Sequence, residues 1–445
     1  MIKSICCIGA GYVGGPTMAV IAIKCPKIKV TVVDIDSSRI KRWNGPVENL
    51  PVFEPGLAEI VKKVRNINLF FSDQVDEAIK DSEMIFLAVN TPTKTSGEGA
   101  GMAADLKYIE ASAKKIAEVA TDDKIVIEKS TLPVRTAEKI KEILNVREDG
   151  PNFEILSNPE FLAEGTAIQD LYKSDRVLVG RDETSSGKIA AKKLIDIYLN
   201  WVPIEKIITS NIWSSELTKL ASNAMLAQRI SSINSLSALS EKTGAKTLEL
   251  SRGIGMDHRI GKYFLNPSPG FGGSCFQKDI LNLVYICRHY GLNEVAEYWH
   301  QVIKINEYQR DRISNLILEN RSKNDSVSIL GWAFKKNTND SRESSSIYIS
   351  YRLITEGVKL KIYDPKVTKE RILDDLIKVN EKKNQLSDDL IYKNAEVYDN
   401  MNDAINDSSV IAILTEWNEF KKIRTSGKII DTRNICENSN VFFRL

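Results

Sequence analysis

The stretch IKSICCIGAGYVG at residues 2–14, with KVTVVD at 29–34 behind it, decides the fold. A short apolar run rich in β-branched residues ends in G-x-G-x-x-G. An apolar helical stretch follows, and a second β-branched run closes on an acid. Strand, glycine turn, helix, strand and acid within about 30 residues open a doubly wound α/β unit that binds a dinucleotide. Gly9 permits the tight turn, Gly11 lets backbone approach a pyrophosphate, and Gly14 lets helix pack on strand. The helix N-terminus then offers unpaired N–H groups and a positive dipole end to phosphate. Asp34 is placed to accept from the adenosine ribose hydroxyls. Its charge repels a 2′-phosphate, so NAD is expected rather than NADP. Arg39, five residues on, could stack on adenine or pair with a 2′-phosphate.

Outward from this unit the alternation continues. MIFLAV at 84–89 reads as a buried strand running into Asn90, Thr91, Pro92 and Thr93, and KIVIE at 124–128 as another running into Lys129, Ser130 and Thr131. FEIL at 153–156 and RVLV at 176–179 extend the series. Ligands of open α/β sheets sit at the carboxyl ends of strands, so both polar clusters are placed to line a cofactor. From about 211 to 243 the period changes: Leu217, Leu220, Ala224, Ala227 and Ile230 recur at helical steps, with no Gly or Pro until Gly244. A helix of that length is expected to bridge two domains and to pack on a partner subunit. Further helices are expected over 279–315. A second α/β unit opens with SVSIL at 326–330 and Gly331, passes through a helix from about 344, and reaches VKLKIYD at 358–364. DEAIKDSEMIFLA at 76–88 is echoed by NDAINDSSVIAIL at 402–414. The fold class expected is α/β: two Rossmann-like domains joined by a long central helix and a helical middle region, divided at 1–210, 211–322 and 323–445.

Composition narrows the function. The 445 residues carry 61 Lys+Arg against 59 Asp+Glu, net +2, which argues against a broad nucleic-acid or membrane-surface footprint. The only histidines, His258, His289 and His300, have no zinc-site spacing among themselves or with the cysteines, so no metal is expected. Six cysteines in a chain this long argue for a reducing, cytosolic compartment rather than a disulfide framework. The charge-free run between Lys3 and Lys24 could pass for a signal anchor, but its four glycines and Pro16 fit strand, turn and buried helix better.

Three places could carry chemistry. In GFGGSCFQKD at 270–279, glycines let backbone approach a ligand, and Cys275 falls at a helix N-terminus with Asp279 one turn on. The dipole there favours a thiolate, so Cys275 reads as a nucleophile or as a small cysteine packed beside a glycine loop. In SNPEFLAEG at 157–165, Asn158 and Pro159 look like a helix start. Glu160 and Glu164 then share a face, either answering the helix dipole or supplying a general base or water-orienting carboxylate. Lys219 and Asn223, also one turn apart, face solvent or a cleft where the lysine would stabilise an oxyanion.

These motifs, taken together and in order, resemble the UDP-glucose/GDP-mannose dehydrogenase family, most closely its animal and plant UDP-glucose-oxidising type. GAGYVGGPT at 9–17, VTVVDIDSSRI at 30–40, VNTPTKT at 89–95, EKSTLPVRTAE at 128–138 and LSNPEFLAEGTA at 156–167 carry the resemblance in the first half. SSELTKLASNAMLAQRISSIN at 214–234, MDHRIG at 256–261, GFGGSCFQKD and GWAFKKNTNDSRESSSIYIS at 331–350 carry it in the second. The resemblance implies oxidation of a nucleotide-sugar C6 alcohol to a carboxylate with two NAD, in the cytoplasm, by a homodimer or larger assembly. Cys275 would hold first a thiohemiacetal and then a thioester. Lys219 and Asn223 would stabilise the oxyanion, Asp279 and Thr131 would position water, and Glu160 would assist hydrolysis as base. NAD would contact Gly9, Gly11, Tyr12, Val13, Gly14, Asp34, Arg39, Val89, Asn90, Thr91, Pro92, Thr93, Ser130, Thr131, Glu164 and Arg342. UDP-glucose would contact Glu160, Phe161, Leu162, Lys219, Asn223, Arg259, Phe264, Leu265, Ser268, Phe271, Gly272, Phe334, Lys335 and Arg433, with Arg259 reaching across a subunit interface. The last segment, 323–445, would bind the UDP-sugar. Alternatives are a relative acting on GDP-mannose or a UDP-N-acetyl sugar, and an inactive sensor, which the intact Cys275, Lys219, Asn223 and Asp279 disfavour.

Two departures matter. Asn266, Pro267 and Pro269 stand where the animal pattern has a lysine and no prolines, which removes a side-chain contact and stiffens the loop. The sequence ends at Leu445, soon after Arg433, so regulation through a longer tail is not expected.

Overall fold

The computed structural model describes residues 1–146, 149–323, 325–438 and 441–445. The first strands are β1 (Ser4–Ile8), β2 (Lys29–Val33), β3 (Leu69–Ser72), β4 (Met84–Leu87), β5 (Lys124–Glu128), β6 (Phe153–Ser157), β7 (Val177–Arg181) and β8 (Ile207–Asn211). They form one sheet in the order β3-β2-β1-β4-β5-β6-β7-β8. Neighbours run parallel except β6 and β7, which meet antiparallel. β4 and β5 are buried along their whole length, as a sheet covered by helices on both faces requires. The strand order reverses between β1 and β4, and Gly9 lies at that reversal. Its φ is +112°, and a Cβ there would stand 2.4 Å from the Ala88 carbonyl oxygen, so only glycine lets the two chain segments diverge. The charge-free N-terminus is thus β1 and a helix, Gly14–Lys24, buried from Gly14 to Ala22. Among the described residues no helix is long and apolar enough to cross a membrane.

The later strands are β9 (Ser326–Leu330), β10 (Leu360–Tyr363), β11 (Ala395–Val397), β12 (Ser408–Ile413), β13 (Lys428–Asp431) and β14 (Val441–Arg444). Their order is β11-β10-β9-β12-β13-β14, every neighbour parallel. Counted from its own first strand, this repeats the order of the first six strands of the other sheet. The sequence echo falls on equivalent elements: helix Val75–Lys80 leads into β4 beside β1, and helix Met401–Ile405 leads into β12 beside β9. Gly331 stands where Gly9 does, with φ +97° and a Cβ position 2.3 Å from Thr415.

The chain divides into two compact units, Met1–Ser222 and Asn223–Leu445, and the boundary falls inside one continuous helix, Ile212–Thr243. Helices Thr247–Gly255, Phe276–His289 and Asn293–Asn320 follow it in the second unit, ahead of β9.

Candidate active site

The glycine cradle of the first unit has the shape a pyrophosphate needs. A Cβ at Gly14 would lie 2.0 Å from the Gly9 carbonyl oxygen, whereas at Gly11 it would meet nothing within 4 Å. The first closes helix onto strand; the second leaves backbone open to a ligand. Helix Gly14–Lys24 has no acid in its first turn and no side-chain cap at Val13, so its N-terminus is left for an anion. Asp34, nearly buried at the end of β2, accepts from Ala10 N at 2.9 Å and Asp36 N at 3.0 Å. Arg39 donates to the same carboxylate at 3.0 Å and lies 3.7 Å from Asp36. Arg39 is thus engaged by two acids in the fold. Thr91 donates to the Thr131 carbonyl at 3.1 Å, and Ser130 to that of Val89 at 2.6 Å, so the loops after β4 and β5 are tied together beside the cradle.

The segment after β6 does not start a helix at Asn158. Residues 158–163 are irregular and the helix is Ala167–Tyr172. Asn158 turns inward and donates to the Leu178 carbonyl at 2.8 Å instead of capping. Glu160 folds back on its own backbone, Oε1 accepting from Phe161 N at 2.8 Å and Leu162 N at 3.1 Å. Glu160 and Glu164 therefore share no helix face. The helix N-terminus is satisfied by buried Glu54, which accepts from Gly165 N at 2.7 Å and Ala167 N at 3.1 Å. Glu160 Oε2 pairs with Lys129 Nζ at 2.8 Å. Burial alone would push the Glu160 carboxyl up, but the Lys129 ammonium overrides it and holds the group below the usual carboxylate range. Lys219 is buried with its ammonium 5.3 Å from the Phe161 ring centroid, and Arg176 lies over the same ring at 3.9 Å.

In the second unit Cys275 is the N-cap of helix Phe276–His289, its side chain exposed, and its carbonyl accepts from Asp279 N at 2.9 Å. One turn on, buried Asp279 accepts from Asn223 Nδ2 at 2.6 Å. The predicted set thus falls into two groups: Thr131, Glu160 and Lys219 in the first unit, Asn223, Cys275 and Asp279 in the second. Lys219 and Asn223 are neighbours on successive turns of the long helix.

The glycine loop before Cys275 is fastened from below. Asn306 Oδ1 accepts from Phe271 N at 2.8 Å and its Nδ2 donates to Phe271 O at 3.1 Å. Buried Arg310 donates to the carbonyls of Phe271 and Glu343, both at 3.0 Å. A Cβ at Gly272 would fall 2.7 Å from Glu343 O and 2.9 Å from Phe334 Cβ, so this loop lies directly on the loop after β9. Ser268, also assigned to substrate, is held by Asn234 and Gln309 at 2.9 and 2.8 Å. Leu265 is buried, while Phe264, Asn266 and Arg259 are exposed, Arg259 pairing with Asp257.

The loops at the carboxyl edge of the second sheet carry Phe334, Lys335, Arg342 and Arg433. Arg433 donates to the carbonyls of Leu414 at 2.8 Å and Phe334 at 3.1 Å. Arg342 forms a double hydrogen bond with buried Asp340. Asp364, the counterpart of Asp34, accepts from Trp332 N, Ala333 N, Lys366 N, Val367 N and Trp417 Nε1. Both tryptophans are core residues with a polar tether, Trp332 Nε1 donating to Asp375 at 3.0 Å. With its acceptor sites filled, Asp364 has none for a ribose, so the repeated fold does not repeat the dinucleotide site.

Several residues that build the site were not singled out by sequence pattern: Tyr198, Glu54, Asn306, Arg310, and the acids Glu128 and Glu216; Lys129 was read only as part of a polar cluster beside the cofactor. Glu216 accepts from Arg135 N at 2.7 Å and Ala137 N at 2.9 Å, capping helix Thr136–Leu144. Burial pushes its carboxyl up to about 7. Burial and the Glu216 charge push buried Glu128 up as well. A signal existed for some of these. Glu128 and Lys129 are charges at the exit of an otherwise apolar strand, and Asn306, Gln309, Arg310 and Ser314 form a polar stripe that is buried rather than solvated.

A doubly wound unit with an open glycine cradle, repeated once with the acid after its second strand already occupied, is the architecture of a dehydrogenase that binds its cofactor in one unit only. Comparison with known proteins narrows this. The UDP-glucose/GDP-mannose dehydrogenase family matches three times in succession: its NAD binding domain over residues 3–202, its central domain over 213–308 and its UDP binding domain over 328–438. The chain belongs to this family. It is 55% identical over 420 residues to UDP-glucose 6-dehydrogenase of Drosophila melanogaster, covering 94% of this chain and 87% of that one. It is 55% identical over 426 residues to the UDP-glucose 6-dehydrogenase of Bos taurus, covering 95% and 85%. Among solved structures, a UDP-glucose dehydrogenase from the hyperthermophilic archaeon Pyrobaculum islandicum matches with a TM-score of 0.86 at 26% identity, covering 100% of this chain and 97% of that one.

Proposed function

We propose that the chain is an NAD-dependent UDP-glucose 6-dehydrogenase that makes UDP-glucuronate. One observation carries the reading: exposed Cys275 stands at the N-cap of a helix whose next turn presents Asp279 bonded to Asn223, within a family match in three successive domains over residues 3–438. Bound NAD, held by the Gly9–Gly14 cradle and Asp34, would supply a hydride acceptor at each of two oxidations. Cys275 Sγ adds to the C6 aldehyde and forms a thiohemiacetal; loss of a second hydride leaves a thioester. Lys219 and Asn223 stabilise the oxyanion, Thr131 and Asp279 position water, and Glu160 serves the hydrolysis that frees the thiol. Phe334, Lys335 and Arg433 receive the UDP-sugar with Phe271, Gly272 and Ser268.

By division of labour, residues 1–210 bind NAD, 211–322 supply the thiol loop and self-association, and 323–445 bind the UDP-sugar. Exposed Leu217, Met225, Leu236 and Leu239 on the long helix support a homodimer or larger assembly, which light scattering would measure. All six cysteines are free, which suits a reducing cytoplasm. The decisive experiment supplies UDP-glucose with excess NAD and follows NADH. Two NADH per sugar are expected. No NADH removes the enzyme reading, and turnover only with GDP-mannose or a UDP-N-acetyl sugar moves the substrate assignment.

A further inference from the structure

We infer that Lys129 is a positioning residue of this reaction: its interior ion pair fixes Glu160 as an ionised acceptor with one site left for the hydrolytic water. The inference deepens the proposed function and rests on it. An ionised carboxylate offers about four acceptor sites. Three on Glu160 are taken, two on Oε1 by Phe161 N and Leu162 N and one on Oε2 by Lys129. The remaining site is on Oε2, and its direction is set by the lysine.

Lys129 is built to stay charged where it is. Its side chain is 3% exposed, and its three donors meet three acceptors: Glu160 Oε2 at 2.8 Å, Asn158 Oδ1 at 3.1 Å and Tyr198 Oη at 3.3 Å. Tyr198 in turn donates to Asn158 Oδ1 at 2.6 Å, and Asn158 is anchored on the Leu178 carbonyl. A buried ammonium with every proton placed is costly to move and costly to remove alone. The ionisable groups that face Glu160 are Lys129 from the end of β5, Tyr198 from helix Ser185–Tyr198 and Lys219 from the long helix. Held this way, Glu160 is a poor store for a proton and a good director of water. In the step it serves, water oxygen bonds to the thioester carbon, the C–S bond breaks, Cys275 leaves as thiolate, and protons pass to solvent.

Lys129→Met and Lys129→Gln in the full chain test this. Without the ammonium, burial would raise the Glu160 carboxyl. Turnover is then expected to fall by about 10²-fold, the range general acid–base groups contribute, with KM for UDP-glucose and NAD nearly unchanged. The acid limb of the kcat–pH profile should move upward. Two NADH per Cys275 should still form in the first turnover, and mass spectrometry of quenched protein should find the acyl group on Cys275. In a Glu160→Gln background, Lys129→Met should cost nothing further, because it acts only through Glu160. Should Lys129→Met alone not fold, the double variant, which leaves no charge unpaired, and Lys129→Gln carry the same comparison. An unshifted pH profile, or a loss that adds to that of Glu160→Gln, overturns the inference. Failure of the unmodified chain to make NADH from UDP-glucose overturns the proposed function instead.

Discussion

At the scale of single residues, Cys275 and Asp34 are set apart by what surrounds them. Cys275 is exposed at a helix N-terminus, while Cys6 and Cys7 lie in the core, where burial raises both thiols and Cys6 reaches about 12. Only the exposed thiol can reach a substrate. Cys275→Ser should lose two-step turnover by at least about 10³-fold, as removal of a nucleophile does elsewhere. NADH yield per sugar checks it, and a serine variant that keeps full yield would sink the thioester route. Asp34 sits between the Ala10 amide and Arg39. Asp34→Ala should release Arg39 and remove the repulsion of a 2′-phosphate, raising the NADP/NAD ratio of kcat/KM about tenfold or more. Steady-state kinetics with both cofactors measures it; an unchanged ratio would show that Asp34 does not discriminate.

At the scale of elements, the cap of helix Thr136–Leu144 is a carboxyl that burial holds above its ordinary range. The ordinary value for Glu216 is 4.5, and in the fold it is pushed up to about 7. Between those values the native state binds more protons than the unfolded chain. This contribution to stability is fully present below the lower value and is lost as pH rises through the upper one. The thermal midpoint should therefore fall between about pH 5 and about pH 8 in the part that this carboxyl controls. Glu216→Gln keeps an acceptor for the Arg135 and Ala137 amides but removes the titrating carboxyl, so it should flatten that dependence. Thermal unfolding of both proteins across the range measures the difference, and an equal slope would remove this carboxyl from the account. The glycine loop is an element of the same kind. Its shape depends on Asn306 and Arg310, which lie in the chain well beyond the loop they hold.

At the scale of the whole molecule, two copies of one strand order serve two ligands. Asp34 remains beside an open cradle, while Asp364 spends its carboxylate on five donors of its own unit. NAD alone should therefore slow amide exchange around residues 9–14 and 89–93. UDP alone should slow it in the loops at 264–272 and 333–342. Exchange followed by mass spectrometry distinguishes these, and protection of the 9–14 cradle by UDP would contradict the assignment.

The division of information follows the same physics. The glycine spacing, the acids closing two strands, the period of the long helix and Cys275 before a helical run were all legible in the chain. Each is a local rule, set by backbone conformation or by side chains a turn apart. What surrounds Glu160 was not. The helix its sequence suggests at Asn158 is displaced because Asn158 and Glu160 find partners on Lys129, Tyr198 and Leu178, which lie far along the chain. Nothing in the spacing of those residues announces that they meet. Sequence alone determined the architecture and singled out Cys275 as the candidate nucleophile; only the tertiary structure decided that Lys129 meets Glu160, because buried ion pairs depend on which elements the sheet brings side by side.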